Sequence, residues 1–121
     1  IDIIPIPGAS AVIAALSVSG FVGNNFRFFG FVPHKKGRNT FFDTVAQHNS
    51  IAVFYESSHR IMKTLQYLSG DEQFAQRTIC VAREITKMFE QKVYGTSTEV
   101  LGYFEENPGK VKGEFVVVID K

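Results

Sequence analysis

Glu56, Ser57, Ser58, His59 and Arg60 put a carboxylate, two hydroxyls, an imidazole and a guanidinium into five consecutive positions. Groups of these types accept and donate protons, hold anions and hydrogen-bond polar ligands. They follow directly on Ile51-Ala52-Val53-Phe54-Tyr55, an unbroken apolar run rich in β-branched and aromatic residues. That is the pattern of a strand buried on both faces. Residues 61–68 then carry apolar side chains at helical spacing. The cluster therefore sits where a buried strand hands over to a helix, and in open α/β sheets that carboxyl end is where ligands bind.

Three other stretches bring polar groups to comparable positions. Residues 77–83 read as a strand that ends in Arg83 and Glu84, with Lys87 just beyond. Residues 26–32, dense in phenylalanine, form a second strand that runs into Pro33-His34-Lys35-Lys36-Gly37-Arg38, the most concentrated positive charge in the chain. With a proline and a glycine this segment is a loop, and its cations suit phosphates. Pro7-Gly8-Ala9-Ser10-Ala11 reads as a tight turn whose free N–H groups can face an anion or a polar ligand. Ser10 then caps a helix over 11–19, and Gly20 closes it.

The remaining elements must position these groups. A short strand over 1–6 is stopped by Pro5 and Pro7. A helix over 41–48 is capped by Asn39 or Thr40. After a break at 69–71, residues 71–76 make a short helical turn, and 88–95 form a strand antiparallel to its predecessor, because the connection is too short for a crossover. Thr96-Ser97-Thr98 caps a helix over 99–106, Asn107-Pro108-Gly109 ends it, and 115–119 is a last strand buried on both faces. The expected fold is α/β: one domain, 1–121, with a mixed sheet of five to six strands flanked by about four helices. Three parallel-type units and an antiparallel extension would make up that sheet.

Bulk properties narrow the choices. A chain of 121 residues is long enough for a real core. Hydrophobic residues make up 45% of it, yet no apolar run approaches a bilayer span, so no membrane partner is expected. A formal charge of +1 does not by itself announce a nucleic-acid binder; only clustering of the cations would. Cys80 is the single cysteine, with apolar neighbours that mark it as strand core, which agrees with a cytoplasmic location. The chain starts Ile-Asp-Ile-Ile-Pro, already strand-like, and reads as the C-terminal piece of a longer protein.

Several chemistries are disfavoured. No two of His34, His48 and His59 share a metal-ligand spacing, so no metal is expected. Neither Ser57 nor Ser58 has the flanking glycines of a nucleophile elbow. There is no Walker loop and no Gly-x-Gly-x-x-Gly. What remains is a rim of mixed sign with excess cation, suited to a polyanionic substrate and a polar small ligand.

In order along the chain, Pro7-Gly8-Ala9-Ser10-Ala11 with 15–21, Phe29-Gly30-Phe31-Val32-Pro33 with Lys35 and Arg38, and Tyr55-Glu56-Ser57-Ser58-His59-Arg60 form one set of motifs. Arg83-Glu84-Ile85-Thr86-Lys87 with Phe89, Glu90 and Gly95, then Lys112-Gly113-Glu114 and the strand after it, complete the set. This set resembles the C-terminal domain of the ribosomal RNA small subunit methyltransferase I family, in the tetrapyrrole methylase-like superfamily. The resemblance implies a two-domain α/β enzyme with S-adenosylmethionine in the cleft between the domains, a homodimer, and 2′-O-methylation of a cytidine ribose in small-subunit ribosomal RNA. It implies that a missing N-terminal domain carries the glycine-rich part of the cofactor site.

Under that resemblance the cofactor contacts here are Pro7, Gly8, Ala9, Ser10, Ala11, Tyr55, Glu56, Arg83, Glu84, Gly113 and Glu114. A ribose hydroxyl needs a base, and Glu56, Glu84, Lys87 and His59 are the candidates. Lys35, Lys36, Arg38, His59 and Arg60 are the expected RNA contacts. The family usually has proline where Ala9 and Ser58 stand, so those two turns lose some stiffness without losing a reacting group. Two other functions fit the same residues: methylation of a tetrapyrrole or corrinoid precursor, and a non-catalytic RNA-binding domain.

Overall fold

The fold is known from a computed structural model, which describes residues 10–23, 25–83 and 91–121. Its elements are α1 (Ala11–Ser19), β1 (Phe26–Phe31), α2 (Arg38–Gln47), β2 (Ile51–Ser57), α3 (Ile61–Gly70), α4 (Glu72–Ala75), β3 (Thr78–Arg83), β4 (Gln91–Thr96), α5 (Ser97–Glu106) and β5 (Glu114–Ile119). A 3₁₀ turn, Pro108–Lys110, separates α5 from β5. The strand expected over 1–6, the turn at Pro7, Gly8 and Ala9, and the segment with Glu84 and Lys87 lie outside the described residues.

Five strands form one mixed sheet in the order β1-β2-β5-β3-β4. Among the described residues, β1 and β2 are parallel, and β2–β5, β5–β3 and β3–β4 are antiparallel. The described residues thus hold one parallel pair where three parallel-type units were expected, and the strand expected over 1–6 is not among them. The last strand returns through the middle of the sheet, where its run of five apolar residues can be covered on both faces.

The alternation of side chains shows how the two faces are used. Phe54, Val81, Phe115, Val117 and Ile119 pack with Phe42, Leu65, Phe74 and Phe104 under α2, α3, α4 and α5. Val53, Cys80, Val116 and Val118 pack with Val12 and Ala15 under α1. Among the described residues, the sheet is thus sandwiched between a thick helical layer and α1.

Local chemistry sets the ends of the helices. Ser10 Oγ accepts from the Ile13 N–H, and Gly20 closes α1 with a φ of 76°. Thr96 and Glu99 cap α5 reciprocally, each side chain accepting from the other's backbone N–H. The start of α2 differs from expectation. The helix begins at Arg38, and its N-cap is Gly37, at φ 87°, with no side-chain cap; neither Asn39 nor Thr40 takes that role. Arg38 therefore belongs to the first turn of a helix and not to the loop before it.

Candidate active site

The carboxyl end of β2 and the amino end of β5 are neighbours because the two strands run antiparallel: Tyr55 pairs with Val116, Glu56 with Phe115 and Ser57 with Glu114. Gly113, at φ 84°, turns the chain into β5 at this end. A cavity of about 410 Å³ opens here. Ala11, at the start of α1, closes one side, with Tyr55, Ser57 and Ser58 from the end of β2 and Gly113 and Glu114 from the start of β5. Of the expected cofactor contacts, the structure brings Ala11, Tyr55, Glu56, Gly113 and Glu114 to this one cavity. Its volume lies within the range of small-molecule sites, ~300–1,000 Å³.

Ser10 is exposed, and its hydroxyl is used in capping α1. Arg83 does not line the cavity. It is 8% exposed and donates to Gln91 Oε1 at 3.2 Å, and Gln91 donates in turn to the Tyr103 hydroxyl of α5. The reason is parity. Ile79 and Val81 pack on the thick helical layer, and Arg83, two residues on, shares their face.

Parity also separates Glu56 from its neighbours. Tyr55 packs toward α1, whereas Glu56 shares the side of Ala52 and Phe54 and is only 1% exposed. Its Oε2 accepts the Thr64 hydroxyl at 2.6 Å, and its Oε1 accepts the Ser57 N–H at 2.8 Å. Arg60 Nε lies 3.5 Å from the same Oε1, an ion pair without hydrogen-bond geometry. Glu56 therefore lines the cavity with both carboxylate oxygens engaged, and not as a free base. It is the buried anchor that joins the end of β2 to α3.

Arg60 extends that anchor outward, its Nη2 lying 3.3 Å from His34 Nε2 in the loop after β1. His59 is exposed. Glu84 and Lys87, the other candidate bases, lie outside the described residues.

The cations cluster in a second cleft, of about 490 Å³, between the start of α2 and α3. Lys35, Arg38 and Lys63 line it together with Asn39, Thr40 and Tyr67. Lys36 is exposed and is not part of its lining. Arg38 is held in place: its guanidinium donates to the Pro33 carbonyl and to Thr64 Oγ1, both at 3.2 Å, and lies over the Phe42 ring. One hydroxyl, that of Thr64, thus links the buried Glu56 to the basic cleft.

Among the lining residues not named as contacts from the sequence are Phe31, Lys63 and Ser57. Lys63 could have been found by asking which α3 positions face the start of α2. Phe31 had a clearer signal in the glycine before it, since a glycine inside a strand pattern often marks a bulge. Among the described residues, no group of three or more His, Cys, Asp and Glu side chains could hold a metal ion. No described helix is long and apolar enough to cross a membrane.

Comparison with known proteins accounts for nearly the whole chain. A ribosomal RNA small subunit methyltransferase I from Buchnera aphidicola is 38% identical over 122 residues, covering 99% of this chain and 43% of that protein. The Synechocystis protein of the same name is 42% identical over 98% of this chain and 42% of its own length. That of Thermotoga maritima is 35% identical, again over 98% of this chain, and 52% of it is covered.

The chain is thus similar over nearly its whole length to proteins named ribosomal RNA small subunit methyltransferase I. It spans about half the length of these relatives, or less. No family model matches. Among solved structures, the methyltransferase CobJ superposes with a TM-score of 0.62 at 19% identity, over 95% of this chain and 49% of CobJ, so the fold is shared with that enzyme.

Proposed function

We propose that this chain is the C-terminal half-site of an S-adenosylmethionine-dependent methyltransferase that modifies a cytidine ribose 2′-hydroxyl in small-subunit ribosomal RNA. The observation that carries the reading is convergence. Ala11, the end of β2 and the start of β5 meet at one cavity, in a chain whose relatives are named for small-subunit RNA methylation. A cleft lined by three cations lies on the adjoining helices.

The residues present fit part of such a cofactor. Tyr55 and Gly113 line the cavity, and Ser57 Oγ is buried with no hydrogen-bond partner among the described residues. A buried hydroxyl without a partner costs free energy that a polar ligand atom would recover. When bound, S-adenosylmethionine supplies an electrophilic methyl group and leaves as a neutral thioether.

This chain's own residues then have three tasks. Tyr55, Ser57 and the Gly113–Glu114 turn bind and orient. Glu56, through Thr64 and Arg60, keeps the β2 end rigid, so that the reacting groups stay aligned. Lys35, Arg38 and Lys63 hold RNA phosphates. The ribose proton passes to a base, for which Glu84, Lys87 and His59 remain the candidates. The missing N-terminal domain and a second copy of the chain complete the assembly in this reading, and the cytoplasm is its compartment.

The test uses the full-length protein, radiolabelled S-adenosylmethionine and unmethylated small ribosomal subunits. The expected result is label recovered in 2′-O-methylcytidine after digestion to nucleosides. No label in RNA, with subunits and cofactor intact, would redirect the reading to a small-molecule acceptor such as a tetrapyrrole precursor.

A further inference from the structure

Phe31 stands at the mouth of the β2–β5 cavity because of a fault in the register of β1. Phe26 pairs with Ile51 and Phe28 with Val53, so these two share the α1 face of the sheet. Regular alternation would put position 30 on that face and turn Phe31 away. Instead the register jumps between Phe28 and Phe31, and Phe31 pairs with Tyr55. Gly30 absorbs the extra residue at φ 79°, in the left-handed region.

The bulge completes an aromatic row. Tyr55 lies between two phenylalanine rings, edge-on to Phe28 at 4.8 Å and to Phe31 at 5.2 Å between centroids. Contacts of this geometry hold a ring in place. Phe31 nonetheless remains 65% exposed. A rigid aromatic face is thus offered to solvent at the edge of the cavity that Tyr55 and Ser57 also line.

Resting on the reading of function above, we infer that Phe31 is the stacking platform for an unpaired nucleobase of the RNA acceptor. Two observations favour the RNA over the cofactor. Phe31 lines the cavity yet is 65% exposed, so its ring is open to a base arriving from solvent. The basic cleft is also close along the chain: Lys35 is four residues on, a span of at most ~14 Å. A strand whose phosphates sit in that cleft keeps an adjoining base within reach of the ring. Stacking on an aromatic side chain is available only to a base that has left its helix, so the acceptor is single-stranded at this point.

The test compares full-length wild type, Phe31→Ala and Phe31→Tyr by three measurements. These are KM for small subunits, affinity for S-adenosylhomocysteine by calorimetry, and quenching of 2-aminopurine in a short single-stranded RNA. Phe31→Ala should raise KM and weaken oligonucleotide binding roughly 5- to 150-fold, abolish quenching, and leave S-adenosylhomocysteine affinity unchanged. Phe31→Tyr should restore KM, oligonucleotide binding and quenching. Loss of S-adenosylhomocysteine affinity would overturn the inference by giving the ring to the cofactor, and no change in any measurement would overturn it outright. A wild type that quenches the probe through Phe31 yet transfers no methyl group to RNA would leave this inference standing and end the functional reading.

Discussion

The Thr64 hydroxyl donates to Glu56 Oε2 at 2.6 Å, inside a protein where both residues are almost wholly buried. Arg38 donates to the same Thr64 oxygen from the basic cleft. A threonine on α3 therefore couples the strand end at the cavity to the cations beside it. A carboxylate in such a place is tolerable only while its hydrogen bonds are made.

Thr64→Val keeps the volume and removes the donor. The full-length protein should lose about 1.5–3 kcal/mol of stability, since a hydrogen bond to a charged group is lost in the interior. Urea unfolding followed by circular dichroism reads this directly. An unchanged midpoint would show that Glu56 finds another partner.

Glu56→Gln distinguishes an anchor from a base. The amide should cost stability, about 1–3 kcal/mol, while turnover per folded molecule stays near wild type. Turnover that collapses with the unfolding midpoint intact would return Glu56 to the proton-transfer step.

Lys35→Ala combined with Lys63→Ala should weaken RNA binding and make the plot of log K against log salt shallower by about 1.4–1.8 for two lost phosphate contacts. Filter binding from low to moderate salt measures it. Arg38→Ala is expected to behave differently. It removes the contacts to Pro33 and Thr64 as well as a charge, so stability should fall together with RNA affinity.

Gly30→Ala tests the bulge. An added Cβ would meet nothing within 4 Å, so the cost is backbone strain alone. Holding a non-glycine residue at φ 79° should cost about 1–2 kcal/mol. A thermal melt of the full-length protein checks it, and an unchanged melt would mean that β1 can pair in another register.

Cys80 should be inert in the native protein. Burial pushes its thiol up to about 11 from an ordinary 9.0, and the Tyr94 hydroxyl and Lys92 offset this only in part. Iodoacetamide at pH 8 should label it in urea and not in buffer. The neutral thiol is favoured in the folded state, so its contribution to stability is complete below about pH 9 and is lost as pH rises toward 11.

The order and type of the elements could be read from local patterns. Apolar runs marked β2 and β5, Ser10 and Gly20 bracketed α1, and Thr96-Ser97-Thr98 announced α5, because burial, capping and left-handed glycines depend on near neighbours in the chain. The cluster after Tyr55 was visible for the same reason. What local pattern could not supply was the pairing of β5 between β2 and β3, which carries Gly113 and Glu114 to Tyr55 and Ser57 from more than fifty residues away.

Period-two alternation placed Tyr55 and Glu56 on opposite faces, but only packing decided that Tyr55 looks toward α1 and the cavity while Glu56 is buried under α3. The same holds for Arg38, taken from an apparently open basic loop by Thr64, 26 residues further along. Propensity and capping act over a few residues and are written in the order of the side chains. Sheet order, face and hydrogen-bond partner are settled by which long-range pairings bury the most apolar surface without stranding a polar group, and they exist only once the chain has closed on itself.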